Sequence, residues 1–164
     1  MAHDFSLHSG ERQTAPRYSE IRADHRARYE WADARLPENS MGADLFCGIG
    51  YGTHLLAKRR LVVGIDGSVA AISQARQHYN SSGTHFRCAV WPGPLYLSGC
   101  DFIVSLESLE HVEDGAGFFK AMADALKPVA DDVLEKADVR VIGYQSASGR
   151  TMTFYGTATI EAKV

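Results

Sequence analysis

The sequence predicts an α/β fold: a doubly wound sheet, mostly parallel, closed at the C-terminus by an antiparallel hairpin. Three observations carry that expectation. Short apolar runs of strand type, Met41 to Cys47, Leu61 to Asp66 and Asp101 to Leu106, alternate with stretches whose apolar residues recur at three- and four-residue spacing. The first run empties into glycines at alternate positions, Gly48, Gly50 and Gly52. Near the C-terminus, Val139 to Tyr144 and Thr151 to Ile160 read as two strands joined by the small polar turn Ser146-Ala147-Ser148-Gly149.

In chain order, residues 1–17 are polar, lack a periodic apolar pattern and contain Pro16, so they read as a flexible arm, with residues 18–164 forming one domain. From Tyr18 to Leu36, alanines and long charged side chains predict a helix that Pro37 stops, with Ile21, Tyr29 and Trp31 as its larger apolar groups. Strand one, Met41 to Cys47, leads into Asp44-Leu45-Phe46-Cys47-Gly48-Ile49-Gly50-Tyr51-Gly52, the stretch around which the chain is organised. Glycine has no side chain and accepts positive φ, so a ligand can lie against bare backbone there. The helix that follows runs to Arg60, and its Lys58-Arg59-Arg60 end reads as a cap and a solvated face. Strand two closes on Asp66, placed to accept both hydroxyls of a ribose. Ser68 is the N-cap expected for the second helix, which carries Val69, Ile72, Ala75 and Tyr79 on one side.

Strand three is His85 to Val90, with Trp91-Pro92-Gly93-Pro94 a rigid turn after it. Strand four, Asp101 to Leu106, places Glu107, Glu110 and His111 just beyond its carboxyl end, where open α/β sheets bind their ligands. Histidine titrates near neutrality, which makes His111 the candidate general base, with capping or loop orientation as the plainer reading of Glu110-His111. Phe118 to Leu126 is the next helix, ended by Lys127-Pro128.

Asp44, Gly48, Gly50 and Gly52 form an acid, three residues, then Gly-x-Gly-x-Gly. That pattern resembles motif I of the class I S-adenosylmethionine-dependent methyltransferases. Val63-Gly64-Ile65-Asp66-Gly67-Ser68 is similar to motif II, and Asp101 to Val112 to the strand-four motif, so the resemblance covers roughly residues 20 to 128. It implies a Rossmann-like fold in compacted form, S-adenosylmethionine as cofactor, and methyl transfer to a small-molecule acceptor. The cofactor-binding residues it implies are Asp44 at the methionine end, Phe46, Cys47, Gly48, Gly50 and Gly52 along the loop, and Asp66, Gly67 and Ser68 at the ribose. Ala89, Val90 and Trp91 follow near the base, then Leu106 and Glu107 after strand four; Glu110 and His111 are the catalytic candidates. Two departures stand out. The family's acid after strand three is absent between His85 and Gly99, leaving backbone groups at Ala89 to Trp91, with Trp91 stacking or plain core. After Pro128 a glycine-rich turn and an apolar fifth strand are expected, but Val129 to Ala137 is helical in pattern. The chain therefore reads as shortened after strand four, with the hairpin expected to pair directly with that strand. An unpaired edge there would invite a second copy, so a homo-oligomer stays open.

Other classes are weighed by chemistry. A dinucleotide fingerprint needs Gly-x-Gly-x-x-Gly, and Thr53 stands where its third glycine should be, which argues against an NAD(P)-binding oxidoreductase. A non-catalytic cofactor-binding or subunit-pairing module remains the alternative. The Asp-Leu-Phe-Cys-Gly start is similar to DNA cytosine methyltransferases, but the Pro-Cys nucleophile motif is missing. Net charge of −3 gives no basic footprint for nucleic acid, a local patch at Arg22, Arg26 and Arg28 aside. No apolar run approaches the roughly 20 residues that span a bilayer. The N-terminus lacks the apolar centre of a signal peptide, so a cytoplasmic protein without membrane contact is expected. Cys47, Cys88 and Cys100 have no C-x-x-C spacing and imply neither disulfide nor metal.

Overall fold

In the computed structural model, residues 14–108 and 112–127 are described in full, and residues 140–147 and 150–157 as backbone strands. A single 3-10 turn at Tyr18–Glu20 precedes α1 (Ala23–Asp33), β1 (Met41–Leu45), α2 (Tyr51–Leu56), β2 (Leu61–Asp66) and α3 (Val69–His78). Then come β3 (Thr84–Cys88), β4 (Phe102–Ser105), α4 (Gly115–Ala125), β5 (Arg140–Ala147) and β6 (Arg150–Thr157).

The main sheet has the order β3-β2-β1-β4 and every pairing is parallel. Leu45 lies opposite both Ile65 and Ser105, and Asp66 opposite Cys88, so the four carboxyl ends reach the same edge. The order reverses between β1 and β4, and the crevice at such a switch point is where open α/β sheets take ligands.

Side chains alternate along the strands and divide the core into two layers. Val62, Phe86, Phe102 and Val104 face a cluster with Ile21, Tyr29, Leu55, Leu56 and Ile72, contributed by the segments leading through α1, α2 and α3. Ala43, Leu45 and Ile65 face the other way, toward Phe118 and Met122 of α4 and toward the crossing segment at Trp91, Leu95 and Leu97. Fully burying a side chain the size of Phe118 stabilises by about 1.5–3 kcal/mol, so α4 is a main anchor of the second layer.

Four expectations change. The helix foreseen from Tyr18 to Leu36 is broken because Ile21 and Arg22 are extended, which turns Ile21 into the core at 2% exposure. Arg60 is buried rather than solvated. Its guanidinium donates to the carbonyls of Pro37, Asp33, Leu36 and Leu56 and to Asp33 Oδ1, closing the loop between α1 and β1. Val69 is 73% exposed while Ile72, Ala75 and Tyr79 are buried, so the buried face of α3 excludes its first residue. The last described part of the N-terminal arm is seated: the Tyr79 hydroxyl donates to the Ala15 carbonyl at 2.8 Å.

At the start of β4 the edge of the sheet carries one further parallel contact. Leu126 forms an isolated parallel bridge with Cys100, whose N–H donates to the Ala125 carbonyl and whose carbonyl accepts from Lys127 N–H. Pro128 follows at once and has no N–H to add to a ladder. β5 and β6 pair antiparallel with each other, from Arg140↔Thr157 to Ala147↔Arg150, in a two-stranded sheet; among the described residues no ladder joins this hairpin to β4, where one is expected. The helical pattern at Val129 to Ala137 and the end of the strand expected through Ile160 lie outside the described residues.

Candidate functional site at the carboxyl edge of the sheet

The exit of β1 is built by backbone conformation. Phe46 takes φ +58°, uncommon for a residue with a β-carbon, and its ring packs edge-on against Phe118 at 5.6 Å. Cys47 N–H still donates to Ile65 O, so the loop leaves the sheet only after Cys47. Gly48 has φ +56°, and a β-carbon there would meet nothing within 4 Å. Its backbone is therefore bare toward open space. Gly50, at φ +84°, caps α2.

Asp66 ties this loop to the next. Its carboxylate accepts from Gly48 N–H at 2.9 Å and from Ser68 N–H at 2.8 Å, at 4% exposure. A carboxylate offers about four acceptor positions, and backbone donors from both loops hold this one at their junction. Ser68 in turn caps α3 by accepting from Ala71 N–H, and Gly67 lies between the two anchors.

Asp44 does not face the crevice. It is fully buried, with Oδ2 accepting from the Thr53 hydroxyl at 2.6 Å and both oxygens within reach of the Tyr29 hydroxyl at 3.1 and 3.3 Å. Burial pushes its pKa up from the ordinary 3.8 to about 7; the hydroxyls of Thr53 and Tyr29 oppose the rise, and the charge of Asp66 adds to it. Tyr29 reaches Asp44 by crossing Gly52, where a β-carbon would stand 2.0 Å from the tyrosine ring. The sequence reading took Tyr29 only as a large apolar group of the first helix and Thr53 only as a departure from the dinucleotide pattern; a hydroxyl at the buried start of the helix after a glycine loop is the signal that could have found the second. Cys47 is buried nearby, and burial first, then the charges of Asp44 and Asp66, raise its thiol pKa well above the ordinary value, which keeps it protonated.

At the β4 exit, Leu106 is buried and Glu107 takes φ +51°. The Glu107 carboxylate stands 2.7 Å from Arg28 Nη1 of α1, a residue the sequence placed only in a local basic patch. Beside them, His25 Nδ1 and the Tyr51 hydroxyl are 3.2 Å apart, and burial followed by the charge of Arg28 lowers the His25 pKa. Ser105 and Ser108 hydroxyls pair at 2.5 Å beneath. Glu110 and His111, the catalytic candidates, lie outside the described residues.

At the β3 exit, Ala89 N–H donates to Asp66 O, Val90 is exposed, and exposed Cys88 has its Sγ 3.6 Å from Gly67 O. Trp91 packs edge-on against Phe118 at 5.3 Å, on the α4 side of the sheet. Among the described residues no cluster of His, Cys, Asp and Glu has a metal-binding arrangement, and no helix is long and apolar enough to cross a membrane.

Gly48, Asp66 and Glu107 thus stand at the ends of adjacent strands. The open backbone at Gly48 beside a buried carboxylate suits a ligand with a hydroxyl-bearing sugar.

Comparison with known proteins agrees with this geometry. A family model described as methyltransferase domain matches residues 43–130. Among solved structures, a chain of the complex between the Haloferax volcanii Trm112 methyltransferase activator and the putative methyltransferase is 23% identical, with TM-score 0.56, over 71% of this chain and 49% of that one. A SAM-dependent methyltransferase from Thiobacillus denitrificans in complex with S-adenosyl-L-homocysteine is 20% identical, with TM-score 0.55, over 73% and 49%. A TehB-like SAM-dependent methyltransferase from Corynebacterium glutamicum is 22% identical, with TM-score 0.59, over 74% and 62%. The chain thus spans between 49% and 62% of the length of these structures. Among curated proteins nothing matches.

Proposed function

Because this chain belongs to the methyltransferase domain family, we propose that it binds S-adenosylmethionine over the Gly48–Gly52 loop and directs methyl transfer to a small-molecule acceptor. The observation that carries the reading is the bare, left-handed backbone of Gly48 next to the Asp66 carboxylate, at the end of the strand where the sheet order reverses. When bound, the cofactor supplies a methyl group on a sulfonium, already a good leaving group.

The protein's part is then placement. Asp66 accepts the ribose hydroxyls while keeping the loop in shape through Gly48 and Ser68. Gly67, Ala89 and Val90 border the base, with Trp91 bracing the β3 exit against Phe118. Phe46, Cys47, Leu106 and Glu107 line the exits of β1 and β4, and Asp44 sets the loop from behind through Thr53 and Tyr29. Holding a nucleophile in line with a methyl carbon contributes about 7–11 kcal/mol, so few catalytic side chains are needed. His111, with Glu110 beside it, is the group to take a proton from the acceptor.

Calorimetric titration with S-adenosylmethionine, S-adenosylhomocysteine and NAD tests the proposal. Saturable binding of the two sulfur ligands is expected; NAD binding without a response to either would overturn it. Turnover with a panel of small acceptors separates an enzyme from a binding module.

A further inference from the structure

We propose that Asp44, from behind the glycine loop, distinguishes the charged cofactor from its uncharged product: a neutral acid in the free protein, it gives its proton to solvent when S-adenosylmethionine binds and keeps it when S-adenosylhomocysteine binds. This rests on the cofactor reading above and adds to it how the two sulfur ligands are told apart.

The carboxyl closes the loop that carries the ligand. Asp44 precedes the three glycines and Thr53 follows them directly, and the Thr53 hydroxyl donates to Asp44 Oδ2 at 2.6 Å, so the two ends of the loop meet at this acid. Tyr29 of α1 reaches the same carboxyl across Gly52. Asp44 is fully buried, and both partners are neutral hydroxyls. In the sheet it lies opposite Gly64 and Val104, which carry no charge. The titratable groups that face it are Tyr29 from α1, Tyr51 from α2, Cys47 from the β1 exit and Asp66 from β2, and none of these residue types is a cation.

A carboxylate taken out of water without a counter-charge is costly, so it holds its proton. The ligand supplies the missing cation. S-adenosylmethionine carries one positive charge more than S-adenosylhomocysteine, on sulfur, and a unit charge within about 10 Å at an effective dielectric constant of about 20 lowers a carboxyl pKa by about one unit. Binding therefore drives the proton from Asp44 to solvent. When the methyl group leaves, the carbon–sulfur electron pair stays on sulfur, its charge is gone, and Asp44 takes a proton back from solvent. The Tyr29 and Thr53 hydroxyls already donate to the carboxyl, so the ionised form needs no rearrangement of the chain.

Calorimetry of the full chain in buffers of different ionisation enthalpy counts the protons exchanged. At pH 6.5, S-adenosylmethionine should release about half a proton more than S-adenosylhomocysteine, given a free Asp44 that titrates at about 7. The affinity for S-adenosylmethionine relative to S-adenosylhomocysteine should rise about 5-fold from pH 5 to pH 7, because releasing a proton becomes easier until Asp44 is ionised without ligand. Asp44→Asn keeps the shape of the neutral acid and should remove both the extra proton and the pH dependence of that ratio. Equal proton exchange for the two ligands in the unmodified protein would overturn the proposal, and that comparison stands even where Asp44→Asn fails to fold. An extra proton that persists in folded Asp44→Asn would place the source elsewhere and overturn it too. If the unmodified protein binds neither ligand, the cofactor reading itself falls.

Discussion

The Tyr29 hydroxyl reaches the Asp44 carboxylate only because its ring crosses the backbone where Gly52 has no side chain: the hydrogen bond is 3.1 Å long, and a β-carbon on Gly52 would stand 2.0 Å from the ring. The third glycine of the loop is thus a packing requirement for α1, and the buried acid is what α1 is packed to reach.

Gly52→Ala should destabilise the fold by about 1–3 kcal/mol, the usual cost of overpacking. Tyr29→Ala has its own cost, but in that background Gly52→Ala should cost much less, since the clash is gone. Denaturant unfolding of the four proteins checks the coupling; strictly additive losses would show that the two residues act independently.

Asp44 predicts a pH dependence. Its folded pKa, about 7, lies above the ordinary 3.8, so the folded state holds a proton that the unfolded chain releases. The associated stability is full below the unfolded value, declines as pH rises between the two values, and is gone above the folded one. The melting temperature of the unmodified protein should therefore fall relative to Asp44→Asn between about pH 4 and pH 7. Parallel profiles would show that Asp44 is ionised in the fold.

Asp66→Ala should weaken S-adenosylhomocysteine far more than His111→Ala does. Each hydrogen bond to a carboxylate contributes about 1.5–3 kcal/mol, and Asp66 also holds Gly48 and Ser68 in place. His111→Ala should keep cofactor affinity and lose turnover. Equal losses of affinity in the two folded variants would mean that the crevice has been read the wrong way round.

Thiol labelling gives an independent view of the same edge. Cys88 is exposed, whereas Cys47 and Cys100 are buried and burial raises the pKa of both. One thiol should react quickly and two only on unfolding. S-adenosylhomocysteine should slow the fast one, because Cys88 lies beside Gly67. Unchanged labelling in the presence of saturating ligand would place the bound base elsewhere.

The sequence by itself determined the elements that local chemistry controls: the strand runs within Met41 to Cys47, Leu61 to Asp66 and Asp101 to Leu106, the glycine loop between β1 and α2, the Ser68 cap, and a fourth helix that ends before Lys127-Pro128. Periodicity, backbone freedom and a missing N–H are properties of neighbouring residues, so they can be read without a fold. The same is true of the family motifs within residues 43–130. Tertiary structure alone decided which charged groups meet. Asp44 and Asp66, both expected to face the cofactor, differ: one is turned inward to Tyr29 and Thr53 and the other bridges two loops. Arg60 and Arg28, both read as surface charge, became a loop clamp and the partner of Glu107. The hairpin strands pair with each other, and among the described residues no ladder joins them to β4. In each case the partner comes from a distant part of the chain or from a choice between competing edges, and spacing along the sequence carries no information about distance across the sheet.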